Sequence, residues 1–341
     1  MGEAVLIIIG LPIAPGPFLY AFYWVLSRRV RWDAGAEPLL ARGDFSAAEL
    51  ACSIPHVNAS LAQLIDRVNG LAASLGKPAV VRETSGTARL KAQAVKAAAW
   101  SGLVIAILLS INGSWFPAVA AAAVFPVLLL RSNKMLQPSL ETLLAQDRRQ
   151  PLLLLRSFGD DEIQAWRRFS TPVGDISLGR RFEQGIAGSL RAFGPLIAIG
   201  KPGEEVPQIG AVRAYLSDAE WQPAVLRWLD QALLIVMIAG ATEWVTWELH
   251  RIVEKGRNQR LLILLPPGPN EKRWEHIVSS LAHTSWAAAL QTIDIDGVLL
   301  IQLERDGNVL AIKRQTAMTF IQDYQLAMAI AIHRELCAKP T

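Results

Sequence analysis

From Ala97 to Leu130 the chain runs for 34 residues without a charged side chain. A run of that length constrains the fold before any other feature, because water-soluble helices and strands carry polar faces. As one helix it would rise about 50 Å at about 1.5 Å per residue, overshooting a hydrocarbon core of about 30 Å. Asn112-Gly113-Ser114 sits near its centre and is turn chemistry. The run is expected to form a helical hairpin, 97–111 and 115–130. Each arm is near the short limit for a span, so a re-entrant hairpin is the other reading. A second uncharged run, Ala4–Leu26, covers 23 residues, enough for one crossing. Pro12, Pro15 and Pro17 should kink it.

Basic clusters flank both runs: Arg28, Arg29 and Arg31 after the first, Lys91 and Lys96 before the second, Arg131 and Lys134 after it. Such residues stay on the cytoplasmic side. All three clusters then agree on an outward amino terminus, three spans and a cytoplasmic carboxyl-terminal domain. A cleaved signal peptide fits poorly, because the basic cluster follows the first apolar run instead of preceding it.

Hydrophobic residues make up 52% and charged residues 19%, which excludes a disordered chain. The pI of 9.2 does not point to nucleic acid. Residues 1–150 hold 14 Lys+Arg against 9 Asp+Glu, whereas residues 151–341 hold 20 against 21. The positive excess belongs to the half with the apolar runs, so the expected partner is a lipid bilayer. Two cysteines, Cys52 and Cys337, make no disulfide framework and fit a reducing compartment. The chain divides into a first transmembrane helix with its basic flank (1–31), a cytoplasmic helical segment (32–96), the hairpin (97–134), a linker (135–150) and a carboxyl-terminal domain (151–341).

In that last domain apolar runs alternate with amphipathic stretches. Strands are expected at 151–158, 195–200, 233–240 and 260–267, with helices at 178–193, 219–232, 242–255 and 270–283. Two further strands, 298–303 and 309–313, flank Arg305-Asp306-Gly307-Asn308, a hairpin signal. A helix over 316–337 closes the chain. Fully apolar strands alternating with helices predict an α/β fold: a parallel sheet covered on both faces. Ligands bind such sheets at the carboxyl ends of the strands, where three loops gather: 157–161, 201–205 and 240–248.

There is no P-loop, no G-x-G-x-x-G after a strand, no G-x-S-x-G elbow and no H-E-x-x-H. His56, His250, His276, His283 and His333 show no metal-ligand spacing, so neither a metal nor a cofactor is expected. His276 and His283 lie seven apart on one helix without a carboxylate beside them, and a structural role is expected for both. One carboxylate stands out. Glu248 follows Trp244 by four residues, which puts both on one helix face near the ligand-binding edge. A carboxyl beside indole rings is partly desolvated, and a flat aromatic can hold a planar base. The alternative is that Glu248 pairs with Arg251 or sits favourably at the helix start.

Four features of residues 151–336 resemble the Toll/interleukin-1 receptor (TIR) domain in its bacterial form, in the family's order. The first strand ends in Arg156-Ser157-Phe158-Gly159-Asp160-Asp161, the loop 201–211 carries a Pro-Gly, the helix-strand unit Leu226–Ala239 precedes the family's Trp/Glu motif, and Trp244-Val245-Thr246-Trp247-Glu248 has its W-x-x-x-E spacing. The first-loop serine-to-acid spacing is shorter than usual, the loop after the second strand is longer, and the 298–313 hairpin is additional. The resemblance implies a flavodoxin-like parallel sheet and a bacterial, inner-membrane effector of defence or stress signalling. It would cleave NAD on homo-oligomerisation, with NAD as substrate and no cofactor. Glu248 would be the catalytic carboxylate. Phe158 and Trp244 would stack a ring, Arg156 and Lys201 (beside Gly203) would meet the pyrophosphate, and Ser157, Asp160 or Asp161 would orient a loop or a ribose hydroxyl. Two other readings of the same residues stand beside it: a non-catalytic TIR-like scaffold, and a nucleoside N-glycosidase or deoxyribosyltransferase-like enzyme.

Overall fold

The computed structural model describes residues 61–78, 86–135, 138–157, 163–171, 174–200, 211–217, 219–314 and 319–337. The expected first span, 4–26, lies outside them. The described residues fall into two compact units, one within 82–138 and the other combining 61–78 with everything from Ser139 onward.

Helix α1 (Leu61–Ser74) belongs to the second unit; the first is a hairpin of α2 (Gly86–Ile111) and α3 (Trp115–Met135). Gly113 turns the chain between them at φ 76°, a left-handed conformation that glycine adopts without strain. Ala92, Ala99 and Ala106 bury on α2, and Ala118 and Phe125 on α3. These mostly small residues let the helix backbones approach closely. Ser132 donates its hydroxyl to the Ala92 carbonyl at 2.9 Å, and Trp100 meets Phe125 edge-on at 5.3 Å. The outward surface is apolar: Val104, Ile105, Leu108 and Ile111 on α2 and Val119, Val124 and Val127 on α3 are exposed. α2 starts well before the expected position 97 and carries Lys91 and Lys96 within it; α3 runs on through Arg131 and Lys134. Among the described residues one helix, Leu90–Ile111, is long and apolar enough to cross a membrane. The three-span arrangement therefore remains an expectation.

The second unit is an α/β fold. After α4 (Leu140–Gln146) the elements are β1 (Leu152–Leu155), β2 (Gln164–Thr171), β3 (Gly174–Arg181), α5 (Phe182–Leu190), β4 (Leu196–Ile199), β5 (Val212–Ala214), α6 (Trp221–Gln231), β6 (Leu234–Ile238) and α7 (Glu243–Glu254). Then come β7 (Leu261–Leu264), α8 (Glu271–Ser280), α9 (Ala287–Gln291), β8 (Val298–Leu303), β9 (Val309–Lys313) and α10 (Ile321–Ile332). A seven-stranded sheet runs β5-β4-β1-β6-β7-β8-β9. The first five strands are parallel, with Leu153 beside Ile197 on one flank and Ile235 on the other. β8 is antiparallel to β7, and β9 to β8.

Strand side chains alternate between two cores, as the two-residue period requires. Leu152, Leu154, Leu234, Val236, Leu262 and Leu264 pack with α1, α5 and α10. Leu153, Leu155, Ile235, Met237, Leu261 and Ile263 pack with α4, α6, α7 and α8. Both faces of the sheet are thus covered, which is why β1, β6 and β7 are apolar at every position. Residues 61–74, part of the expected separate segment 32–96, are built into this unit. Arg149 ties its end down by donating to the carbonyls of Gly76, Ala192 and Arg191 while paired with Asp147 at 2.7 Å.

Within the α/β unit three further differences from the sequence reading bear on the sheet. The expected helix 178–193 starts at Phe182, because 178–181 complete a β2–β3 hairpin outside the main sheet. Leu178, Phe182, Ile186 and Leu190 recur every four residues, so the strand's end mimics a preceding helical turn. β5 follows the loop after β4 as three residues, too short to show a period. β8 reverses direction because α8 carries the chain away from the carboxyl edge and the stretch containing α9 returns it. Leu265 N–H then donates to Leu299 O at 2.9 Å.

Candidate functional site

The chain leaves β1 toward β4 and leaves β6 toward β7, while β1 and β6 lie side by side. This is the point at which α/β sheets open a crevice at their carboxyl edge. A cavity of about 330 Å³ occupies it, walled by Leu155 to Ser157 after β1, Gly200 after β4, Trp221 at the start of α6, and Thr242, Trp244 and Glu248 of α7.

Helix α7 sets the geometry. Thr242 is its N-cap in extended conformation but makes no side-chain capping bond. Val245, Leu249 and Ile252 anchor the helix in the core, which turns Trp244 and Glu248 toward the cavity, one turn apart. Trp244 stands at the rim, 56% exposed, and Glu248 lies inside at 6%. Burial pushes the Glu248 carboxyl up to about 8, because loss of water disfavours its charged form. Its Oε2 and the Thr242 Oγ1 find no hydrogen-bond partner among the described residues. Arg251 is not its partner: it pairs with Glu254 and lies over the Trp247 ring at 5.7 Å.

Trp221, which sequence reasoning placed on a helix without a role, is the aromatic hub. Its ring meets Trp244 at 5.1 Å and 87°, and Trp247 at 5.0 Å and 68°. The only signal for it was its indole, since its partners come from a helix more than twenty residues later.

Arg156 lines the cavity, yet its Nε sits 2.9 Å from Glu183 Oε2. Arg213 reaches the same oxygen at 3.0 Å, and Ala211 N–H donates to Glu183 Oε1 at 3.2 Å. One α5 carboxylate thus joins the end of β1 to β5, so Arg156 is held in a buried ionic cluster. Ser157 lines the cavity. Phe158, Asp160, Asp161, Lys201 and Gly203 lie outside the described residues.

His276 has a structural place. Its Nε2 lies 3.0 Å from the Thr242 carbonyl and 2.6 Å from the Thr246 hydroxyl, tying α8 to the start of α7. No group of three or more His, Cys, Asp or Glu residues among the described ones is arranged to hold a metal ion. The arrangement offers one buried carboxyl with a free oxygen, one free hydroxyl and two perpendicular indoles: a place for a flat ring joined to a polar moiety. No protein-family model, curated protein or solved structure matches the chain.

Proposed function

We propose that the chain is a membrane-anchored TIR-like effector whose α/β domain hydrolyses the nicotinamide N-glycosidic bond of NAD when copies associate. The observation that carries this reading is Glu248, buried and unpaired in a cavity at the carboxyl edge of β1 and β6, one turn from Trp244. The flavodoxin-like order β4-β1-β6-β7 supports it as well. The apolar outer face of the α2–α3 hairpin supports a lipid bilayer as partner, with the domain on the cytoplasmic side of a bacterial inner membrane.

In this account the bond between the anomeric carbon and the pyridinium nitrogen breaks, and nicotinamide leaves neutral with the bonding electrons. Positive charge develops on the ribose, where Glu248, having given its proton to solvent as the cationic substrate enters, stabilises it as a carboxylate. Water adds to the anomeric carbon and its proton goes to solvent. The leaving group is already cationic, so one carboxylate suffices where other glycosidases use two.

A second reading has its own observation. A carboxyl that burial raises to about 8 suits a general acid delivering a proton to a neutral base, as a nucleoside N-glycosidase requires. The full chain, reconstituted at high density in liposomes, separates the two when given NAD in one reaction and purine and pyrimidine nucleosides in another. Nicotinamide release without base release is expected. Base release alone would transfer the site to the nucleosidase reading, and neither product would leave a scaffold.

A further inference from the structure

Resting on that reading's association of copies, we propose that β3 is the surface through which two copies of this chain pair. The strands meet edge to edge, antiparallel about a twofold axis at Leu178, and join two β2–β3 hairpins into one four-stranded sheet. β2 and β3 hold eight residues each and form a sheet of their own. At its root Phe182 N–H donates to Ile163 O at 2.8 Å, and α5 lies against both strands. The outer edge of β2 meets Phe320 at Trp166. The outer edge of β3 pairs with no strand among the described residues. Along such an edge every second residue offers its N–H and C=O to another strand, and a ribbon of two strands gains stability from a third.

Charge and face select both the partner and the register. β3 carries Asp175 near its start and Arg180 and Arg181 at its end. A strand with opposite charges at its two ends is complementary to its own antiparallel copy, and like charges would meet in a parallel one. Directly opposed residues of antiparallel strands lie on one face. In the hairpin Ala165 opposes Arg180 and is 1% exposed, whereas Trp166 opposes Gly179 and is 49% exposed. By the two-residue period, positions 175, 177, 179 and 181 belong to the outward face of Trp166. A twofold axis normal to the sheet keeps like faces together and runs beside one residue, which then opposes itself. Centred on Leu178, it sets Asp175 opposite the partner's Arg181 at both ends of the ladder. Centred on Ser177, it sets Asp175 against the partner's Gly179; centred on Arg180, it sets arginine against arginine. Only the Leu178 register places Asp175 opposite an arginine, and it does so on the face turned away from the core.

The test uses the full chain in liposomes, with Cys52 and Cys337 replaced by serine. Leu178→Cys puts two thiols at opposed positions, about 4.5–5.5 Å apart at Cα and within disulfide reach. Ile176→Cys leaves them offset by four residues, about 14 Å along the strands. Mild oxidation should link Leu178→Cys chains into dimers at least about tenfold faster than Ile176→Cys chains. Adding Asp175→Arg, or Arg181→Asp, to Leu178→Cys sets like charges across the axis twice, and linking should slow by about tenfold. Mixing those two variants should restore it, because each arginine again opposes an aspartate in the mixed dimer. Equal linking at 176 and 178, no linking of the folded chain, or no recovery on mixing two variants shown to be folded by circular dichroism would overturn the proposal. NAD is absent throughout. Linked dimers that cleave no NAD would sink the hydrolase and keep this inference, and NAD cleavage by chains that never link would do the reverse.

Discussion

Replacing Glu248 with Gln should remove a pH slope from the stability of the α/β domain. The Glu248 carboxyl has an ordinary value of 4.5 and is raised to about 8 in the fold by burial. The folded state therefore holds the proton more tightly than the unfolded chain. Its contribution is complete below pH 4.5 and is lost as pH rises toward 8, at about 1.4 kcal/mol per unit. From pH 5 to pH 7 that amounts to about 3 kcal/mol. For a domain of roughly 200 residues this is about 6–12 °C in the unfolding midpoint. Gln keeps the shape and does not titrate, and every other group titrates equally in both proteins. The gap between the two midpoints isolates Glu248. The assay is thermal unfolding of the full chain and of Glu248→Gln in detergent, read by tryptophan fluorescence at pH 5, 6, 7 and 8. Glu248→Gln should gain about 6–12 °C on the parent between pH 5 and pH 7. A gap that stays constant would show that the carboxyl titrates normally and is not desolvated.

Three further substitutions probe the frame around the site. A Cβ at Gly194 would collide with the backbone oxygen of Gln150, which cannot rotate away, so Gly194→Ala should lower stability by about 2–3 kcal/mol; an unchanged midpoint would contradict the packing at the start of β4. Tyr324 donates to the Leu265 carbonyl at 2.7 Å from inside the core, and Tyr324→Phe should lose about 1–2 kcal/mol by equilibrium unfolding. Arg149→Ala removes an ion pair and three carbonyl contacts. Hydrogen exchange should then quicken in residues 61–76 ahead of the sheet, and uniform exchange would mean that the clamp is idle.

What the sequence disclosed follows from how local each signal is. β1, β4, β6 and β7 stood out because a strand covered on both faces is apolar at every position, and Leu152–Leu155 needs no partner to be recognised. The β8–β9 hairpin was readable to its bounds, since Asp306-Gly307 announces the turn. Glu248 emerged from its spacing to Trp244 within a single helix. The remaining features join distant segments. The Arg156–Glu183–Arg213 cluster draws on β1, α5 and β5, Trp221 reaches the cavity from α6, and the sense of β8 depends on how α8 and α9 pack. Whether Glu248 pairs with Arg251 was left open, because the i+3 spacing permits it; the structure gives Arg251 to Glu254 instead.

The proposed hydrolysis of NAD stands or falls on Glu248. The most direct measurement follows nicotinamide release from NAD by the full chain in liposomes, at low and high protein density, for the parent and for Glu248→Ala. The account predicts release that rises more steeply than protein density and falls at least about a hundredfold in Glu248→Ala, while the mutant keeps its fold by circular dichroism. Release that continues unchanged in Glu248→Ala, or its absence from a folded and densely packed parent, would contradict it.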